Sequence, residues 1–171
     1  WEGLNLARGN PFLAEDRGQL TGDVTGAFQA TLLDKERLRF RGFNQGNLSW
    51  NRGAFSLSCP RIVLDLKGDE KGIEGAWTVE MAPQGRISGS FATAAPISMT
   101  TRPDAGRFES VWEAIDVAKF KPFFGKGTDL TGSLKGRLDG RIQGEHLTAT
   151  GEVQMEGGRF SWRQRGRRVE A

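Results

Sequence analysis

His146 is the only histidine in the chain and Cys59 the only cysteine. The side chains most used as general base, nucleophile or soft metal ligand therefore each occur once. A lone imidazole can move protons, but His146 falls in phase with Thr148 and Thr150 on the polar side of an alternating stretch. It reads as a surface histidine. A lone thiol gives neither an internal disulfide nor a metal framework. Cys59 lies in phase with Phe55 and Leu57 and reads as a buried structural thiol. Metal centres need convergent ligands, whereas the carboxylates here are scattered, and Asp69-Glu70 shares a turn with Lys71. No serine has a base suggested beside it, and no phosphate loop or dinucleotide fingerprint is present. Gly22/Gly26 and Gly132/Gly136 repeat Gly-x-x-x-Gly, but charged residues fill the gaps, so this is strand alternation and not a membrane-helix motif. The basic run from Arg163 to Arg168 has no second basic stripe to support a nucleic-acid surface, and it reads as a solvated terminus. The expectation is no catalytic residue, no metal, no cofactor and no nucleic-acid partner.

What could position function instead is the strand pattern. From Leu130 to Ile142 the even positions are Leu130, Gly132, Leu134, Gly136, Leu138, Gly140 and Ile142, and the odd ones are polar or charged. A strict period of two is a strand with one dry and one wet face. On the dry face a glycine alternates with a bulky residue. Leu20 to Leu32, Ile73 to Met81, Ile87 to Phe91 and Leu147 to Met155 repeat the pattern. Glycine weakens a strand interior. Its repetition suggests that room along the apolar face is useful.

Strands are expected over Gln19–Leu33, 37–43, 47–50, 54–59 and 61–67, then over Ile73–Met81, 86–93, 96–101, 107–115, Thr128–Gln143, 147–156 and from Arg159. Asn51-Arg52-Gly53 reads as a hairpin turn, and Gly9-Asn10-Pro11 as a loop. Between Val111 and Phe124 the apolar spacing drifts from strand towards helix, which predicts one short helix near 117–124. Parallel strands need long crossovers, and most connections here are short. The fold class is therefore all-β, a mostly antiparallel meander without a linker that would divide it.

Composition agrees. The 171 residues could bury a real core. The 24 glycines are about twice the average share. Net charge is only +3, with basic and acidic residues interspersed along the strands. The chain starts at Trp1 without Met and stops after a charged stretch, as expected of a segment, 1–171, excised from a longer protein. No membrane-spanning apolar run occurs. A transmembrane barrel shares the alternation, but strand-end aromatic girdles and long/short loop asymmetry are missing, and glycines would occupy the lipid face.

Two readings of the apolar face stand. In a closed sandwich, aromatics of the facing sheet would fill the glycine gaps. In an open or half-open sheet, the face would hold flexible acyl chains. Strand phase alone nominates the lining: Val24, Phe28, Ile73, Trp77, Val79, Met81, Ile87, Phe91, Leu130, Leu134, Leu138, Ile142, Leu147, Val153 and Met155.

The segment from Ile115 to Phe124, an apolar stretch with Pro122, followed by the strand Leu130–Ile142 and a partner with Gly151 and Gly157-Gly158, resembles the TamB branch of the AsmA-like proteins. Ile73–Val79 and Gly85–Phe91 fit the same texture. The resemblance implies a β-taco, an elongated sheet folded into a groove with an apolar interior. It implies the periplasm of a Gram-negative bacterium, with an inner-membrane anchor in parts outside this segment. It also implies a non-enzymatic role in shielding phospholipid acyl chains between the membranes. The alternative is a structural or chaperone-like module that pairs strand edges with an outer-membrane barrel of the TamA/BamA type.

Overall fold

In the computed structural model the described residues are 1–12, 18–32, 38–53, 55–94, 105–123, 128–144, 146–164 and 167–170. Among them, eleven strands form one antiparallel sheet: β1 Leu4–Asn5, β2 Gln19–Thr21, β3 Asp23–Leu32, β4 Leu38–Arg52, β5 Phe55–Asp69, β6 Gly72–Glu80, β7 Arg86–Thr93, β8 Ala105–Asp116, β9 Thr128–Gln143, β10 His146–Gln164 and β11 Arg167–Glu170. Spatial order follows chain order from β3 to β11, with β1 outside β3 and β2 extending β3 along β4. The two ends of the path do not pair, so the sheet curls without closing into a barrel. The sequence-expected strand at 96–101 lies outside the described residues.

Short connections enforce this order. Gly53 (φ +57°) ends the β4–β5 turn and Gly144 (φ +59°) sits between β9 and β10, where an L side chain would strain the backbone. Three breaks in the sequence pattern are not strand ends but register shifts. The β4–β5 ladder slips between Gly46/Leu48 and Ile62/Cys59, so that β5 carries one extra residue beside Pro60. A proline in a central strand needs such a bulge, because it cannot donate to the ladder. The β8–β9 ladder slips between Trp112 and Ile115, and the β9–β10 ladder between Glu156 and Arg159, at Gly157-Gly158. Each bulge resets the phase, so the strand continues with its apolar residues on the same face. The drift that suggested helix near Val111 is the β8 bulge, where Ala114 takes a left-handed φ of 51°.

The helix expected near 117–124 is a 3₁₀ helix, Val117–Phe123. Asp116 opens it by accepting a hydrogen bond from the Ala118 N–H at 2.9 Å, and Lys121 pairs with Asp129 at 2.6 Å. It touches both β9 and β5, so it reaches across the curl. A second 3₁₀ helix, Leu6–Phe12, occupies the stretch read as a loop. Asn10 ties it to β2, accepting from the Leu20 N–H and donating to the Leu20 carbonyl, both at 2.8 Å.

The packed core is small and sits under the Val117–Phe123 helix. Cys59, Met81 and Ile115 are buried there, with Leu48, Leu57, Ile62, Val79, Ile87, Trp112, Phe120 and Leu134 around them. The accessible surface is 12341 Å², against about 8,300 Å² for a compact monomer of this mass.

Candidate functional site

Register decides which residues share a face. One row runs directly across the sheet as Leu4, Val24, Gly46, Ile62, Val79, Ile87, Trp112, Gly136 and Val153. The next is Gly26, Asn44, Leu64, Trp77, Gly89, Ser110, Leu138 and Gly151. A third is Phe28, Gly42, Leu66, Gly75, Phe91, Phe108, Gly140 and Ala149. All belong to one face, broken by a few small polar groups. From β3 to β10 it spans about 34 Å at ordinary strand spacing. The opposite face is polar, with ion pairs such as Arg61–Glu80 at 3.1 Å, Lys67–Glu74 at 2.9 Å and Lys135–Glu156.

The structure divides the sequence-nominated lining into three groups. Val79, Met81, Ile87 and Leu134 belong to the packed end under the 3₁₀ helix, and Leu130 is buried nearby. Ile73, Trp77, Phe91, Leu138 and Ile142 are half-buried in the middle of the sheet, as is Val24 on β3. Towards the two edges Phe28 is 56% exposed, Leu147 64%, Val153 58% and Met155 50%. Such values on an apolar face mean that, among the described residues, no second layer covers these edges. Sequence reasoning missed Ile62, Leu64 and Leu66 of β5, whose alternation carried the same signal. It also missed Phe108 and Trp112, which the β8 bulge puts out of phase with the rest of that strand.

The glycines do not leave empty floor. At five positions an aromatic ring lies over the glycine directly opposite on the next strand: Phe28 over Gly42, Trp77 over Gly89, Phe91 over Gly75, Phe108 over Gly140 and Trp112 over Gly136. A Cβ on Gly136 would meet Trp112 Cε3 at 3.2 Å, and one on Gly42 would meet Phe28 Cδ2 at 3.1 Å. On Gly75, Gly89 or Gly140 it would fall within the ring itself. The expected role of glycine as open room is thus corrected at these sites. Each glycine receives a ring from its own sheet, which buries part of that ring without a facing layer. Trp77 and Phe91 lie next to each other, ring centres 6.4 Å apart, and Phe28 stacks on Phe40 at 5.8 Å.

The three rows hold no Asp, Glu, Lys, Arg or His. Cys59 is buried beside Met81 and Ile115, and burial pushes its thiol up despite the opposing pull of Lys119. His146 is exposed at the start of β10. Among the described residues, no three His, Cys, Asp or Glu side chains gather closely enough to hold a metal ion, and no helix is long and apolar enough to cross a membrane. An apolar face of this kind can strip water from apolar chains. Comparison with family models, with curated proteins and with solved structures finds no match to the chain.

Proposed function

We propose that this chain is a non-enzymatic β-taco segment of a TamB/AsmA-like protein of the Gram-negative periplasm. In this reading the protein is held at the inner membrane by parts outside the segment. The segment shields phospholipid acyl chains on their way between the inner and outer membranes. The observation that carries the reading is one continuous apolar face from β3 to β10, curled and uncovered towards its edges. Each methylene moved from water onto such a face gains up to ~0.8 kcal/mol. Rows with no charged group in them fix no headgroup and favour no single position, which suits a path more than a pocket.

Brominated-acyl phospholipid is the direct test. Bromine on the chains should quench Trp77 and Trp112, and purified protein should yield phospholipid on extraction. Unquenched tryptophans together with lipid-free protein would rule the reading out.

A second reading has its own observation. β11 pairs only with Ser161–Gln164 of β10. The outward ladder edge of β10 from His146 to Phe160 has no strand beside it among the described residues. A barrel protein of the TamA/BamA type could add a strand there, as edge pairing allows. Thr150→Cys, on the polar side of that edge, should form a disulfide with a cysteine placed in a barrel edge strand and leave acyl quenching intact; no crosslink in the presence of the barrel would refute it.

A further inference from the structure

The polar face of the sheet carries a feature that acyl shielding does not use. A depression of about 740 Å³ lies over β7–β10. Within it Arg107 of β8 stands directly opposite Arg141 of β9, and Thr148 of β10 stands opposite Arg141 on the other side. Like charges directly opposite one another destabilise a sheet. The carboxylates nearby do not relieve this pair. Asp139 is held by Arg137 through two hydrogen bonds, at 2.8 and 2.9 Å. Glu109 accepts from the Ser90 hydroxyl at 3.0 Å and lies 3.6 Å from the same Arg137. Among the described residues, no carboxylate comes within 4.0 Å of the Arg107 or Arg141 guanidinium.

We propose that Arg107, Arg141 and Thr148 form a binding site for a phosphate group. Two planar guanidinium forks and a hydroxyl, carried side by side on three adjacent strands, line one depression. That arrangement suits a tetrahedral, multiply charged anion, to which arginine donates in pairs. Bound phosphate would also remove the repulsion between the two arginines. The phosphate can belong to a phospholipid headgroup or to a soluble phosphate compound. The site lies on the face opposite the apolar one, so it does not depend on acyl binding.

The test uses the full chain at low ionic strength, where exposed charges are least screened. Inorganic phosphate is titrated calorimetrically into the wild type, into Arg107→Gln/Arg141→Gln, and into Arg61→Gln. The last removes an arginine of the same face far from the depression. Saturable binding should weaken by at least about fivefold in the double variant and stay within twofold, roughly, in Arg61→Gln. Phosphatidylglycerol vesicles then separate the sources. Co-sedimentation that the double variant loses assigns a lipid headgroup, whereas phosphate binding without vesicle binding assigns a soluble compound. Absence of saturable phosphate and vesicle binding by the wild type would overturn the site. An equal loss in Arg61→Gln would overturn it as well, since net charge alone would then explain the binding. Quenching of Trp77 by brominated chains should be unchanged in the double variant, so failure here leaves the acyl-shielding reading intact.

Discussion

Placing a carboxylate on the apolar face should have opposite consequences at two positions that look alike in sequence. Val153 and Leu134 both sit among glycines on alternating strands, in adjacent ladder rows. Val153 is 58% exposed. Val153→Asp therefore forfeits less than half of a full valine burial, about 0.6 kcal/mol, plus up to ~1 kcal/mol of strand preference. Water reaches the new carboxylate, so no desolvation term is added. Leu134 packs against Cys59, Met81 and Ile115 under the 3₁₀ helix. Leu134→Asp loses about 2 kcal/mol of burial and leaves a half-buried charge without a partner, a further ~1–3 kcal/mol. The expected costs are about 1–1.5 and about 4 kcal/mol, a gap of roughly 6–12 °C in melting temperature for a chain of this size. Urea and thermal melts measure it, and brominated-lipid quenching on the same samples reads lipid capture. Folded Val153→Asp should capture less lipid. Equal destabilisation at both sites would mean that β10 is covered and the face closed. Undiminished quenching in a folded Val153→Asp would sink the acyl-shielding reading.

Gly140→Ala should cost about 1–3 kcal/mol, because the methyl displaces the Phe108 ring; with Phe108→Leu in the background the penalty should shrink by at least ~0.5 kcal/mol, and additivity in that cycle would refute the ring-on-glycine pairing. Ala114 holds a left-handed φ of 51° in the β8 bulge. Ala114→Gly should therefore stabilise by about 0.5 kcal/mol, as relieved strain of about 1–2 kcal/mol exceeds the added entropy of the unfolded chain; a drop in the urea midpoint would contradict this. Burial raises the Cys59 thiol, so the unfolded chain releases this proton at lower pH than the folded one. The contribution is fully present below the ordinary thiol range and is lost as pH rises through it towards the raised folded value. Comparing urea midpoints of wild type and Cys59→Ala from neutral to alkaline pH should show a steeper decline in the wild type, and parallel profiles would refute it.

Local periodicity carried the faces but not the continuity of the strands. The alternation from Leu130 to Ile142 and from Ile73 to Met81 sufficed to say which residues point together, since a slip of one residue would turn Lys135 and Arg137 inward. The separate pieces expected at 37–43 and 47–50, at 54–59 and 61–67, and at 147–156 and from Arg159 are continuous strands. On β5 and β10 a register shift inserts a residue, and a period-two reading registers that as an end; β4 keeps its phase, and there the run Asn44-Gln45-Gly46 without an apolar side chain read as a break. Burial could not be read locally either. Leu134 and Val153 have the same alternation around them, yet one lies on a strand flanked on both sides and under a helix, the other on a strand that borders the open edge. Only the order of strands in space distinguishes them. The five ring–glycine pairs were hidden for the same reason: Phe108 and Gly140 are thirty-two positions apart, and only the β8–β9 register makes them neighbours.

Those pairs explain how a single layer can stay folded with its apolar face uncovered. Large rings standing upright on a sheet need a second layer to bury them, and their burial then ends any groove. A ring laid over a glycine is instead buried by its own sheet. Trp77, Phe91, Phe108 and Trp112 are accordingly half-buried, although no facing sheet lies among the described residues, whereas Phe28 on the outer strand β3 keeps 56% of its surface exposed. Stabilisation comes from contacts within the layer, while the surface stays low and continuous from strand to strand. The glycines cost backbone entropy, and the rings they accept offset it. Replacing them with alanine would raise the rings and make the face rougher while adding methyl groups. Greater hydrophobicity and poorer lipid capture should therefore go together, an outcome that a simple count of apolar residues would not anticipate.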